Sequence, residues 1–316
     1  MKENKNKSNS YDVIIVGGGP AGLNAALILG RCRRKVIVFD SGKYRNQYSS
    51  QINGYLTRDG ISPKEFIKLS RKEISKYQIE IKEEEIKNGS KKDNWFELID
   101  KHGNIYYSKK LLLATGLQDK IPDIKGFIDC YGISIFHCPY CDGYEVKDKA
   151  IGIYSQNKTG FDLALNIYNW STNIILFTDG SDYINDKMKR ILQEHKIKVY
   201  KQKIEQITHK NGQVKYIELN DGTKLERQAV FFSHGYNQRS ILGEQLGCNY
   251  TKTGIIVNDK MQHTNIPGLF VAGDASLDMK FIVVAASEGA KAAVVINKEF
   301  IKERIREMKK KNKQEV

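Results

Sequence analysis

The apolar run Tyr11-Asp12-Val13-Ile14-Ile15-Val16 leads straight into Gly17-Gly18-Gly19-Pro20-Ala21-Gly22, and no other junction restricts the fold of this chain as much. Residues 21–31 continue with helical composition, and Lys35-Val36-Ile37-Val38-Phe39-Asp40 reads as a second strand. Together they make a βαβ unit of about 30 residues, the size a dinucleotide fingerprint requires. A glycine loop between strand and helix lets backbone N–H groups receive a phosphate at the helix N-terminus.

Further along stands Cys138-Pro139-Tyr140-Cys141-Asp142. Two thiols separated by two residues close into a disulfide with little backbone movement. With the glycine loop upstream, the pair points to two-electron traffic between a bound flavin and a dithiol. A structural zinc needs four ligands, usually from two close pairs. No second CxxC or HxxxH exists, so no metal is expected. The remaining cysteines, Cys32, Cys130 and Cys248, read as small apolar or inert thiols. Scattered singles around one close pair suit a cytosolic redox site better than a secreted disulfide scaffold.

The chain has 316 residues, enough for two domains, and a formal net charge of +14. Much of the excess lies at the ends. Residues 298–316 hold eight Lys/Arg against four Glu, and residues 1–10 hold three Lys against one Glu. Basic residues are not interleaved with aromatics, so nucleic acid is not expected as a partner. A positive field speeds encounter with acidic proteins. No apolar run reaches the roughly 18 residues of a membrane span, and the first residues lack the apolar core of a signal peptide. The expectation is a soluble, cytoplasmic protein without a membrane partner.

The pattern predicts α/β architecture throughout. Ser62-Pro63-Lys64-Glu65 reads as a helix start. Segments near 79–86, 94–99 and 105–108 read as a small antiparallel insert turning at Lys101-His102-Gly103-Asn104. A buried strand, Leu111–Ala114, ends at Thr115-Gly116. A second βαβ pattern begins at Ala150–Tyr154, continues as a helix near 160–170, and returns through Asn173–Phe177. Asn220-Asp221-Gly222 marks a hairpin, and a long helix is expected from about 281 to the end.

GGGPAG at 17–22, ATG at 114–116, CPYCD at 138–142 and GLFVAGDAS at 268–276 stand in the order and spacing of low-molecular-weight thioredoxin reductases, which the chain resembles from residue 11 to about 300. The resemblance implies two Rossmann-like, three-layer ββα domains, the second inserted in the first. A discontinuous FAD-binding domain would comprise 1–117 and 240–316, and an NAD(P)-binding-like domain, 118–239, would carry the cysteines. By the same resemblance Gly17, Gly19, Pro20, Ala21 and Gly22 form the FAD pyrophosphate loop, and Asp40 accepts from the ribose. Thr115, Gly116, Gly273 and Asp274 lie near the cofactor, and Asn46 is a candidate for the flavin wall. Cys141 would face the flavin, Cys138 would exchange with the external disulfide, and Asp142 would carry the proton. The family also implies a homodimer.

Three places depart from the family pattern. Ser155, Gln156 and Asn157 stand where the second domain should carry three glycines, with Gly160 retaining the helix-packing position. Thr178-Asp179-Gly180 replaces the His-Arg-Arg run that pairs the NADPH 2′-phosphate, and Asp179 would repel that phosphate. Lys280-Phe281 replaces a third family pair near the flavin. The reading is therefore an FAD-dependent thiol–disulfide oxidoreductase whose use of NAD(P)H is left open. Three routes stay open: NAD(P)H-driven reduction of a thioredoxin-like protein or small disulfide, dithiol oxidation by oxygen, and ferredoxin-driven reduction. A redox-responsive binding module without turnover is the alternative of another class.

Overall fold

The computed structural model describes residues 9–276 and 279–314, so the basic residues Lys2, Lys5 and Lys7 lie outside the described residues. The chain divides into two compact units. One holds the residues up to Arg45, Lys64–Gln118 and those from Asn237 onward; the other holds Asn46–Pro63 and Asp119–Tyr236.

In the first unit the chain runs β1 (Ser10–Val16), α1 (Pro20–Arg31), β2 (Val36–Phe39), α2 (Pro63–Ile74), β3 (Ile79–Lys82), β4 (Ile86–Lys92), β5 (Trp95–Asp100), β6 (Ile105–Leu113) and β7 (Leu117–Asp119). The second unit holds α3 (Phe127–Cys130), β8 (Ile135–Phe136), α4 (Pro139–Asp142), β9 (Ile151–Tyr154), α5 (Thr159–Ile167), β10 (Ile174–Phe177), α6 (Asp186–Glu194), β11 (Lys198–Tyr200), β12 (Ile204–Lys210), β13 (Gln213–Leu219), β14 (Lys224–Glu226) and β15 (Ala229–Phe232). The chain closes with β16 (Tyr236–Gln238), α7 (Leu242–Gln245), β17 (Leu269–Val271) and α8 (Ile282–Gln314).

The first unit's sheet has the order β3-β2-β1-β6-β5-β4, with β17 also paired to β6. β1, β2, β3, β6 and β17 pair in parallel, whereas β4, β5 and β6 pair antiparallel. Residues 79–82 are therefore not part of an antiparallel insert as their alternation suggested. The α2 crossover returns the chain in the direction it left, which makes β3 the parallel edge beside β2. Strand alternation sorts β1 to two sides of the sheet. Val13 and Ile15 pack with Ala25, Leu29, Ala292 and Ile296 of α1 and α8. Ile14 and Val16 pack with Phe39, Phe96, Leu98 and Leu242. The two helices touch closely: a Cβ at Gly289 would lie 2.0 Å from the Ala21 carbonyl oxygen. Glycine is what permits the contact.

In the second unit five parallel strands run in the order β11-β10-β9-β15-β8, and β12-β13-β14 form a separate antiparallel sheet. One cluster joins Ile151, Ile153, Leu176 and Phe231 to Ala164 and Ile167 of α5 and Leu192 of α6. Another joins Tyr154, Ile175, Phe177 and Val230 to Ile207, Val214 and Ile217 of the antiparallel sheet. The layers are sheet, sheet, helix. Residues 46–63, expected with the first domain, pack with the second: a Cβ at Gly132 would meet the Tyr48 carbonyl oxygen at 2.3 Å, and the Tyr48 ring lies 5.4 Å from that of Tyr131.

Candidate active site

Strand register gathers most of the expected cofactor residues on one sheet edge. Val16 pairs with Phe39 and with Leu113, and Leu113 pairs with Val271, so these four strands end level. Gly17, Asp40, the Ala114-Thr115-Gly116 turn and the Ala272-Gly273-Asp274 turn follow directly. The glycines of the loop have different tasks. A Cβ at Gly17 would lie 2.0 Å from the Ala114 oxygen, and one at Gly22 would lie 1.9 Å from the Gly17 oxygen. Backbone packing therefore accounts for both. At Gly19, the residue before α1, a Cβ would meet nothing within 4 Å. No side chain caps α1 there and its first turn holds no acid, so its N-terminal N–H groups and the positive end of its dipole keep their capacity for an anion.

Asp40 is buried and already engaged. Its Oδ1 accepts the Gly42 N–H at 3.0 Å, while Oδ2 accepts from the Tyr44 hydroxyl and, at 2.8 Å, from Arg71. Three of a carboxylate's about four acceptor positions are thus filled from within. Asp274 pairs with Arg45 at 2.9 Å. Gly273, at φ +78°, donates its N–H to Glu288 of α8 at 2.7 Å, and the Ser276 hydroxyl donates to the same oxygen at 2.6 Å. Arg45, Arg71 and Glu288 were missed in the sequence because each acts on the edge from a distant part of the chain. Asn46, the flavin-wall candidate, directly follows Arg45 in the chain. It belongs to the second unit, where its carbonyl accepts the Ser49 N–H at 3.1 Å.

The cysteines sit in the second unit at the short helix α4. Cys138 and Cys141 are joined as a disulfide with Cα atoms 5.3 Å apart. Cys138 occupies the N-cap position, and its Sγ accepts the Cys141 N–H at 3.2 Å. The same N–H is placed to stabilise a Cys138 thiolate after reduction. Asp142 is pushed up to about 7, first by burial and then by the nearby charge of Glu145. Asn53, from the 46–63 segment, donates to the Cys141 carbonyl at 2.8 Å and steadies the turn. Sequence spacing gives no hint of it. His137 lies 3.3 Å from the Tyr131 hydroxyl, which donates to Asp119 at 2.9 Å. The free thiols Cys130 and Cys248 are both pushed up to about 11 by burial, which keeps them unreactive.

The second unit has its own βαβ, with β9, α5 and β10 where the sequence put them, but side chains fill its loop. Asn157 Oδ1 accepts the backbone N–H of Thr159 at 3.0 Å and its hydroxyl at 2.7 Å. The Thr159 hydroxyl also reaches Ser233 at 2.7 Å. A Cβ at Gly160 would lie 2.4 Å from the Tyr183 hydroxyl oxygen and 2.7 Å from Ser155 Cβ. Asp179 is tied down by the Tyr154 hydroxyl at 3.1 Å, Gln156 at 2.9 Å and the Ile204 N–H at 2.9 Å. Among the described residues no cluster of metal-ligating side chains occurs, and no helix is long and apolar enough to cross a membrane.

Residues 11–289 match the family described as pyridine nucleotide-disulphide oxidoreductase. A protein of Arthroderma benhamiae assigned as a thioredoxin reductase is 32% identical over 93% of this chain and 81% of its own length. Thioredoxin reductase of Helicobacter pylori is 28% identical over 90% of this chain and 97% of its own. Among solved structures, a Bacillus anthracis chain assigned as thioredoxin reductase TrxB superposes with a TM-score of 0.89 at 34% identity, covering 93% of this chain and 99% of that one.

Proposed function

The chain belongs to the pyridine nucleotide-disulphide oxidoreductase family, and from that premise we propose that it is an FAD-dependent thiol–disulfide oxidoreductase whose cysteine pair, rather than a nicotinamide, is the entry for its substrate electrons. The observation that carries the second half is the filled loop of the second unit. Asn157 already accepts the Thr159 N–H that a pyrophosphate would take, and Asp179 offers a carboxylate where NADPH presents a phosphate.

The first unit's edge fits FAD on its own geometry. The space over Gly19, the uncapped start of α1 and the absence of acid in its first turn suit a pyrophosphate held by Gly17–Gly22. Asp40 keeps one acceptor position for a ribose hydroxyl, and Thr115, Gly116, Gly273 and Asp274 border the same edge. Glu288 and Arg45 hold the Gly273-Asp274 turn in place. FAD bound there supplies a store for two electrons.

The remaining steps belong to the chain. With the pair reduced, the Cys138 thiolate attacks an external disulfide, one substrate thiol leaves, and a mixed disulfide forms. Cys141 then attacks Cys138, the intramolecular disulfide closes, and the second substrate thiol leaves. The two substrate sulfurs gain the two electrons that the cysteine pair loses. Asp142, with its pKa near 7, provides a leaving thiolate with a proton and takes one back in the reverse direction. Run backwards, the same exchange steps oxidise a small dithiol and leave the Cys138/Cys141 pair reduced; FAD, when bound, would supply the chemistry that hands two electrons on to oxygen. A reduced ferredoxin is the second donor, favoured by the net charge of +14, which draws an acidic protein. A thioredoxin-like protein or a small disulfide is the partner in the reductive direction. The protein works as a homodimer in the cytoplasm, which light scattering and fractionation test.

Anaerobic titration of the flavin-loaded protein separates these routes. Dithiothreitol is expected to bleach the flavin, with peroxide formed on admitting air, while NADPH and NADH leave it yellow. Rapid bleaching by NADPH would overturn the donor assignment but leave the enzyme class standing. A chain that takes up no FAD would sink both.

A further inference from the structure

We propose that the C-terminal half of α8 is a docking face for an anionic lipid surface, which the enzyme meets without spanning it. Every described side chain from Arg304 to Gln314 is exposed, so among the described residues this end of the helix has no buried face. A solitary helix of this length is marginal in water and gains from a surface that takes up one of its faces.

The face is laid out for such a surface. At 3.6 residues per turn, Ile301, Ile305 and Met308 fall on one stripe, with Val294 in line two turns earlier. Their exposures are 37%, 45%, 59% and 42%. The stripe is flanked by Lys298, Lys302 and Lys309 on one side and by Arg304 and Lys311 on the other. The acids Glu299, Glu303 and Glu307 recur on the opposite side. Two of them are turned inward: Glu299 and Glu303 both accept from the buried Lys110, at 2.5 and 2.7 Å. The outward face is therefore an apolar strip bordered by cations.

That pattern selects its occupant. A second copy would bring like charges against each other, since residues 298–314 hold eight Lys/Arg and three Glu. Nucleic acid would use the cations but leave the isoleucines and methionine in water, with no aromatic ring to stack a base. An interface of anionic headgroups over acyl chains takes both features: the stripe enters the apolar boundary and the lysine stems reach back to the phosphates. The expectation of no membrane partner rested on the lack of a spanning run, a criterion that does not detect a helix lying on the surface.

The inference is independent of the disulfide chemistry, which serves as its control. Flotation of the flavin-loaded, full-length protein with phosphatidylcholine vesicles, with and without phosphatidylglycerol, tests it. Binding should be about tenfold or more stronger on the anionic vesicles and should weaken at high salt. The double variants Ile305→Glu/Met308→Glu and Lys309→Glu/Lys311→Glu should each lose that advantage while keeping flavin content and disulfide turnover. Equal binding to both vesicles, or to neither, overturns the proposal. So does unchanged binding by the Ile305→Glu/Met308→Glu variant. If that variant instead lowers the solution mass and vesicles never bind, the face joins copies of the chain and the lipid assignment falls.

Discussion

The two βαβ units of this chain share an architecture and differ in what fills the turn between strand and helix. After β1 the turn is glycine, and the space over Gly19 is clear to 4 Å. After β9 the turn carries Ser155, Gln156 and Asn157, and the N–H of Thr159 is already taken. The strand that follows ends in an engaged carboxylate in both: the buried Asp40 tied to Arg71, the half-buried Asp179 tied to the Ile204 N–H. A nucleotide-type fold is thus a scaffold whose turn decides whether a phosphate enters. On the proposed function, the first unit keeps that use, and in the second the layers persist while the chemistry lies with the cysteines of α4.

If the second unit works through sulfur, Cys138→Ser should keep the flavin and lose disulfide turnover by on the order of 10³-fold or more. Full turnover in this variant would leave the second unit without an assigned reaction. Next in size is a contrast inside the first turn. Gly22→Ala drives a Cβ into the Gly17 carbonyl and should cost about 3 kcal/mol or more, read as denaturant midpoint. Gly19→Ala meets no protein atom, so its apoprotein stability should stay within about 0.5 kcal/mol of the parent while FAD affinity falls about tenfold. Equal FAD affinity would mean that the clear space over Gly19 holds nothing.

Asp142 sharpens the comparison through pH. Its folded pKa of about 7 lies above the ordinary aspartate value, so the fold favours the protonated form. Stability from this group is complete below roughly pH 4 and is lost as pH rises to about 7. Asp142→Asn should therefore gain on the parent in thermal melts well above pH 7 and not near pH 4. Reductive turnover, which needs the proton, should fall as pH passes through 7; the variant should lose about 10²-fold and show a flat profile. A parent profile flat through this range removes Asp142 as the proton carrier. The smallest effect is expected at the filled turn. Asn157→Ala should cost about 1 kcal/mol of stability by releasing the Thr159 N–H, with no new bleaching by NADPH. Bleaching there would show that one side chain was the whole barrier.

The glycine loop, both βαβ units, the hairpin at Asn220–Gly222 and the last helix were legible because each is written within a few neighbouring residues. Strand register then did what spacing cannot: it set Thr115, Gly116, Gly273 and Asp274 level with Gly17 and Asp40. Residues acting across long separations were invisible beforehand. Glu288 reaches Gly273 from α8, Arg71 reaches Asp40 from α2, and Asn53 reaches Cys141 across 88 positions. The alternation of Ile79–Lys82 was misread as antiparallel because period two records a strand's faces and not the direction of its neighbour.

The bond from Asn53 to the Cys141 carbonyl bears on how such proteins can be recombined. A cut-and-paste exchange of residues 119–236 would transplant the dithiol but leave behind the amide that steadies it, because that amide is threaded through sequence belonging to the other half. Swapping only the contiguous piece should yield a chimera with an intact, poorly oriented cysteine turn, and function would return only when the 46–63 segment travels with it.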